Sequence, residues 1–383
     1  MKTTAQQHTT STVVVKACPA YDTELVYHRL KEGLQAIGSL GTFVKAGEKV
    51  LLKPNMLTGC PPEQAVNTHP SVVEAAARLV LEAGAKPFIG DSPMFGTATQ
   101  ASQKAGYAEV AARLGIKIID FTRPRRCECK DGVQFKSFEI DSAVMEADRI
   151  INLAKLKSHT QMYLTMCVKN MFGCVVGRDK LKWHYIAGKS YDTFARVLVE
   201  LYRCTRPVLN ILDGVVAMEG YGPLTGPSRK IGALLLGADA VAVDRVACAL
   251  VGADPAKVPV FKASEELHAG VSCLEDISII GDSLAVLTVR DFQFPRIEPM
   301  DAGALPGFLK GIVRDTMTAR PAVDRKKCRL CGMCVQACPA EAMKASGKIK
   351  IDYRSCIRCY CCVEACEHRA ITIHTPLLAR IVR

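Results

Sequence analysis

Most of the chain repeats one pattern of apolar and polar positions. A short continuous apolar run ends in a polar residue, and a stretch with helical spacing follows. Lys49-Val-Leu-Leu52 ends in Lys53-Pro54-Asn55, Lys86-Pro-Phe-Ile89 in Gly90-Asp91-Ser92-Pro93, and Ile116-Lys-Ile-Ile119 in Asp120. Arg149-Ile-Ile151 ends in Asn152, and Val208-Leu-Asn-Ile-Leu212 in Asp213-Gly214. Val13 to Lys16 reads as a further strand and Thr23 to Ile37 as a helix. Continuous apolar strands alternating with helices predict an α/β domain, a mostly parallel sheet with helices on both faces. Ligands of such sheets bind beyond the carboxyl ends of the strands, so the terminal polar residues become the candidate site.

Punctuation agrees with this reading. Pro70 opens a helix over Val72, Val73, Ala76, Leu79 and Val80, which leaves His69 as its N-cap and Gly84 as its stop. Gly115 and Gly188 mark similar ends. Residues 1–12 are polar and expected to be disordered, and 13–290 form the α/β domain. Residues 291–323, richer in Pro and Gly, are expected to be a connector without a clear strand.

From 324 to 383 the grammar changes. Cys328, Cys331, Cys334 and Cys338 have the C-x2-C-x2-C-x3-C spacing, and Cys356, Cys359, Cys362 and Cys366 repeat it at a constant offset. Three thiolates wrap one cluster, and the fourth of each run reaches the other cluster. The expected sets are Cys328, Cys331, Cys334 and Cys366 for one 4Fe–4S cluster, and Cys338, Cys356, Cys359 and Cys362 for the second. Register makes Cys361 a free thiol packed nearby. Zinc is the competing reading, but four cysteines this close suit a tetrahedral site poorly. Lys348–Asp352 and Ala370–His374 alternate like strands, giving a small α+β bacterial-type ferredoxin domain. Glu367 stands where proline usually follows the last ligand.

Composition narrows the class. An apolar content of 49% is that of a globular protein, and no stretch reads as a leader or a membrane span. The longest apolar run, 231–253, is interrupted by Asp239, Asp244 and Arg245. Eighteen cysteines are explained in part by ligation, which suggests a reducing cytoplasm and an anaerobic style of metabolism. The net charge of +12 is scattered, its densest patch being Arg123-Pro-Arg125-Arg126 in an expected loop. A solvated surface, or a dock for an acidic electron carrier such as a ferredoxin or flavodoxin, fits better than nucleic acid.

Several strand-end groups carry candidate chemistry. Lys155, Lys157, His159, Lys169, Asn170, Lys180, Lys182 and His184 cluster around Gly173 and Gly177, a composition suited to phosphate or carboxylate with His159 as proton donor. Lys53 and Asn55 suit an anion. Asp91 suits a cation or a ribose hydroxyl, or simply an ordinary turn. Asp213 and Glu219 are the acids chosen for proton transfer or metal binding. Cys127-Glu-Cys129 is too tight to bind a metal alone and reads as incidental. No G-x-G-x-x-G, Walker or G-x-S-x-G motif is present, and a flavin would have to bind without one.

Lys53-Pro-Asn55, Thr68-His-Pro70, Gly90-Asp-Ser-Pro93, the run from Asn152 to His159, the run from Val168 to Gly173, and Met218-Glu219-Gly220-Tyr-Gly-Pro223 together resemble the iron–sulfur proteins of domain of unknown function 362. The resemblance covers roughly residues 12–280 and implies a ferredoxin-type domain behind it. It implies little mechanism. Thr165-Met166 departs from the Thr-Gly common in that family. The expected function is an iron–sulfur reductase passing electrons from a soluble carrier through two clusters to a small anionic substrate or cofactor. A non-catalytic electron-transfer or maturation protein, and a nucleic-acid enzyme with structural clusters, are the alternatives.

Overall fold

The structure is a computed structural model that describes residues 10–295 and 319–374. The larger domain is built on strands β1 (Ser11–Ala17), β2 (Lys49–Pro54), β3 (Lys86–Asp91) and β4 (Lys117–Asp120). An outlying hairpin, β5 (Pro124–Glu128) and β6 (Ser137–Asp141), precedes β7 (Arg149–His159), β8 (Tyr163–Thr165), β9 (Leu209–Met218), β10 (Ser228–Gly237) and β11 (Ile277–Gly281). The main sheet runs β11-β1-β10-β9-β7-β2-β3-β4, with β8 folded back on β7. Strands β9, β7, β2, β3 and β4 are parallel neighbours, and β10 enters antiparallel to both β9 and β1.

Alternation along each strand feeds two separate cores. Val13, Val15, Leu51, Ala154, Leu156 and Leu235 face one side, against helices Tyr191–Thr205, Ala240–Leu250 and Pro259–Glu266. Val14, Val50, Leu52, Ile151, Leu153, Leu234 and Leu236 face the other, against helices Thr23–Gln35 and Pro70–Glu82. His69 caps the second of these as expected, its ring accepting the Ser71 N–H. No helix among the described residues is long and apolar enough to cross a membrane.

Three boundaries differ from the sequence expectation. Ser11 and Thr12 belong to β1, because the parallel pairing with β11 starts before the valines, while residues 1–9 lie outside the described residues. The basic patch at 123–126 is not a loop. It enters β5, whose register with β6 alternates its side chains. The connector's 296–318 lies outside the described residues, but its last residues form β12 (Arg320–Val323), a strand that pairs with the ferredoxin-type unit's own C-terminal strand.

That unit continues with β13 (Met343–Ala345), β14 (Ile349–Ile351) and β15 (Ile371–His374) and two one-turn helices, Met333–Gln336 and Cys361–Glu364. Its strands pair β12 with β15 and β13 with β14. It docks on the larger domain through Met94 and Leu181, which pack with Ala337, Cys359, Cys361 and Ala365. The Arg178 guanidinium donates to the Gln336 carbonyl at 3.0 Å, and Arg369 to Gln64 Oε1 at 3.1 Å.

Candidate functional site

The parallel strands deliver their terminal polar residues to one edge of the sheet, where the ferredoxin-type unit also docks. A cavity there is lined by Lys53, Asn55, Asp91, Ser92, Lys157, Thr165, Lys169, Asn170, Gly173, Lys180, His184 and, from the ferredoxin-type unit, Glu364. Met94 lines it too, and belongs to the apolar cluster at the docking surface that includes Cys359.

The cationic groups differ in how far they are satisfied. Lys53 is fully buried, 3.0 Å from Asp91 Oδ1, and donates to the Pro54 carbonyl. Asp91 also accepts the N–H groups of Met56 and Ser92, so its oxygens are committed to the wall and not offered to a cation or ribose. Gly173 covers this pair so closely that a Cβ would collide with Asp91 Oδ1 and Lys53 Nζ. Lys180 donates to the carbonyls of Ser92 and Val175, both at 2.7 Å. Lys157 donates to Asn55 Oδ1 at 2.6 Å and to the Val66 carbonyl at 2.7 Å. Burial and the nearby Lys169 charge bring Lys157 down to about 7. Burial also lowers Lys180, to about 7, but acceptors clustered around that amine favour the ammonium form. Lys169 has no hydrogen-bond or ion-pair partner among the described residues. Burial lowers its pKa, and Glu364 and the Cys361 thiol raise it.

Behind the cavity a row of amides crosses the sheet. Asn55 Nδ2 donates to Asn170 Oδ1 at 3.1 Å, Asn170 Nδ2 to Asn152 Oδ1 at 2.8 Å, and Asn152 Nδ2 to Asn210 Oδ1 at 2.8 Å. Asn210 passes the chain on to the Ala238 carbonyl. Each amide uses both its donor and its acceptor, which fixes their orientations.

The remaining expected residues divide. Lys155 and Asp213 do not line the cavity. They pair at 2.9 Å in a buried set with Tyr21, whose hydroxyl accepts from Lys155 and donates to Asp213, while the His69 backbone N–H caps the second carboxylate oxygen. A β-bulge between Lys155 and Lys157 separates two lysines that the sequence suggests are one pair. The Tyr21 ring stacks on His69 at 3.6 Å. Glu219 is a tether for the chain near 293, accepting the Gln293 N–H.

His159 is also absent from the cavity wall. Its Nδ1 accepts the N–H groups of Gln161 and Met162, so the proton sits on Nε2, 3.2 Å from Glu364 Oε1 but not aligned as a hydrogen bond. Burial and the Lys169 charge hold the ring well below its usual range, which makes it neutral and a poor acid at pH 7. The histidine on the wall is His184, stacked on Phe194 at 4.2 Å, its Nδ1 without a hydrogen-bond partner among the described residues. Thr165 Oγ1 is likewise buried without a partner among them. Met166 is buried in the core and does not reach the cavity. Cys167 and Cys174 are buried thiols whose burial raises them, away from the cavity. Lys182 is exposed and pairs with Asp179.

Sequence reasoning missed Thr165, Tyr21, Asn210 and Glu364. The signal for Glu364 lies in the repeat, where it stands in register with Gln336, an acid replacing an amide beside the cluster ligands. Cys127-Glu-Cys129 also has a neighbour the sequence hides, since Cys127 Sγ lies 3.1 Å from Cys204 Sγ.

In the ferredoxin-type unit Cys328, Cys331, Cys334 and Cys366 ring a hollow. Burial and the three other thiols of that ring push Cys334 up to about 11. Cys362 is raised first by burial and then by Cys359, Cys356 and Cys338. Among the described residues no three His, Cys, Asp or Glu side chains converge on a point as a single metal ion requires. Thiols spread around a hollow instead suit a group several atoms across, and mutually repelling thiols need its iron to ionise. Cys361 is fully buried at the docking surface.

A parallel α/β sheet carrying a cysteine-rich unit at its ligand-binding edge defines a class of iron–sulfur protein. Residues 320–367 match the family described as 4Fe-4S dicluster domain, and residues 50–249 match the domain of unknown function DUF362. The chain belongs to the DUF362 family. It is 40% identical over 292 residues to a protein of Synechocystis named thylakoid-associated protein sll1697, an overlap of 76% of this chain and 90% of that one. The lactate racemase apoprotein from Thermoanaerobacterium thermosaccharolyticum is a looser likeness, 10% identical with a TM-score of 0.38. That overlap covers 57% of this chain and 54% of that one.

Proposed function

We propose that the chain is a ferredoxin- or flavodoxin-linked reductase, with two 4Fe–4S clusters in the small unit and a small anionic substrate or cofactor in the cavity. The clusters, when bound, supply one-electron transfer. Cys328, Cys331, Cys334 and Cys366 would hold one of them, and Cys338, Cys356, Cys359 and Cys362 the other. The observation that carries the reading is Met94, which is at once a wall of the cavity and a member of the apolar cluster at the docking surface that includes Cys359.

One ligand of each set suggests a direction. Cys331 and Leu330 are exposed where a soluble carrier can reach, whereas Cys359 is buried in the cluster that holds Met94 of the cavity wall. Basic residues spread over the surface suit an acidic carrier. In the cavity Lys157 and Lys169 bind and orient the anion, and Lys157, with a pKa near neutrality, is the group best suited to give up a proton. Eighteen cysteines, none of them in a disulfide, fit a reducing cytoplasmic setting.

The test is anaerobic. Cluster-loaded protein is reduced by a low-potential donor and challenged with a panel of small anionic metabolites, with substrate-dependent reoxidation as the readout. Reoxidation that is lost in Lys157→Met and Lys169→Gln supports the reductase. If no anion reoxidises the protein, or the two variants behave as the parent, the chain is better read as a non-catalytic electron carrier or maturation factor.

A further inference from the structure

Charge in the cavity does not balance. Lys53, Lys157, Lys169 and Lys180 contribute ammonium groups, and Asp91 and Glu364 are the carboxylates on the wall. Lys53 is matched by Asp91. Glu364 answers at most one of the other three, so two positive charges are left when Lys157 is protonated. Buried charge of one sign persists where something of the other sign joins it.

The donors are unspent as well. An ammonium offers three N–H groups. Lys53 and Lys157 each give two to the protein, and Lys169 gives none among the described residues. Thr165 Oγ1 and His184 Nδ1, on the same wall, are buried polar atoms without partners among the described residues. Unsatisfied buried groups are costly, and in a native protein they mark a missing partner. Apolar residues, among them Met56, Leu57, Pro93, Phe172 and Pro223, line the rest of the cavity.

We infer that the cavity takes a dianionic oxyanion ligand, whose two negative charges complete the set of Lys157, Lys169, Lys180 and Glu364. The inference rests on the reading of this cavity as the substrate site and adds the charge of what enters it. A phosphoryl group carries both charges on one centre, and a dicarboxylate carries them on two. A monoanion leaves one ammonium unmatched.

Binding also moves protons. Burial, with the Lys169 and Lys155 charges, brings Lys157 down to about 7 against the opposing effect of Glu364 and Cys60. A dianion beside it favours the ammonium, so above pH 7 the ligand enters with uptake of about one proton.

The experiment is anaerobic calorimetry on the full cluster-loaded chain at pH 8, in two buffers of different ionisation enthalpy. The probes are inorganic phosphate, succinate and acetate. The expected result is that phosphate or succinate binds at least about tenfold tighter than acetate, with proton uptake, and that Lys169→Gln reduces the difference to about twofold or less. Which dianion wins reports whether the charges share one centre. Acetate binding equally well, no probe binding, or dianion binding without proton uptake would overturn the inference. If Lys169→Gln fails to fold, the phosphate-to-acetate ratio of the parent chain decides alone. Calorimetry needs no electron transfer, so dianion binding without reoxidation would sink the reductase and spare this inference. Reoxidation by a neutral or singly charged substrate would do the reverse.

Discussion

His159 on β7 and Glu364 of the ferredoxin-type unit meet at 3.2 Å, His159 buried and Glu364 largely so. This contact joins the strand-end region to the cluster-binding helix. Because Nδ1 of His159 is held by two backbone N–H groups, the ring is neutral and turns its Nε2–H toward Glu364; burial raises the Glu364 carboxyl, but that N–H and the Lys169 charge outweigh it and keep Glu364 ionised. Glu364 is thus a counter-charge for the cavity. Glu364→Gln should tighten phosphate binding by about threefold to tenfold, the opposite of what loss of a binding residue gives. Calorimetry on the variant checks the sign.

Lys157 gives a pH signature. Its folded pKa of about 7 lies below the value near 10.4 of an unfolded chain. Between these values the unfolded state binds the extra proton, so stability rises with pH, by up to about 1.4 kcal/mol per unit. The cost of burying the charge is fully present below pH 7 and is relieved above it. Anaerobic melting between pH 7 and 9 should show this rise in the parent and a flatter profile in Lys157→Met.

Gly173→Ala inserts a methyl group against Lys53 Nζ and Asp91 Oδ1. The pair is buried and held by backbone, so it cannot step aside without losing hydrogen bonds. The expected cost is about 1–3 kcal/mol, together with loss of anion binding. Chemical denaturation and calorimetry read the two effects separately.

Ligand choice is testable at the adjacent cysteines. Cys361→Ser should keep about eight irons per chain, whereas Cys362→Ser should lose about four. Iron analysis and the visible spectrum of anaerobically purified variants make the comparison.

Cys127 and Cys204 should cross-link under mild peroxide, one peroxide taking both thiol hydrogens to form two waters and one disulfide. Their Sγ atoms already lie within contact, and Cys129 lies beside them as an alternative partner. Peptide mapping after alkylation finds the bond. Cys204→Ser should abolish any cross-link to Cys127 that runs through it.

Much of the fold is legible from local pattern. Strands such as Lys49–Leu52 and Lys86–Ile89 are buried on both faces, so their apolar runs are continuous, and the cysteine repeat carries its own register. The site is legible to the level of strand ends. Lys53, Asn55, Asp91, Lys157, Lys169 and Asn170 do come together, because parallel strands in register bring their carboxyl ends to one edge. What spacing cannot show is the bulge that sends Lys155 and Lys157 to different partners. Nor can it show that His159 is fixed by its own turn. Glu364 comes from more than two hundred residues away, through a docking contact that no periodicity records.

Because Glu364 closes one side of the cavity, a shortened protein ending before β12 would lack more than its wiring. Its basin of lysines would open to water and lose a balancing carboxylate, so ligand affinity measured on that fragment would belong to a different vessel. A control that removes electron flow alone must leave the small unit seated and change only its sulfurs.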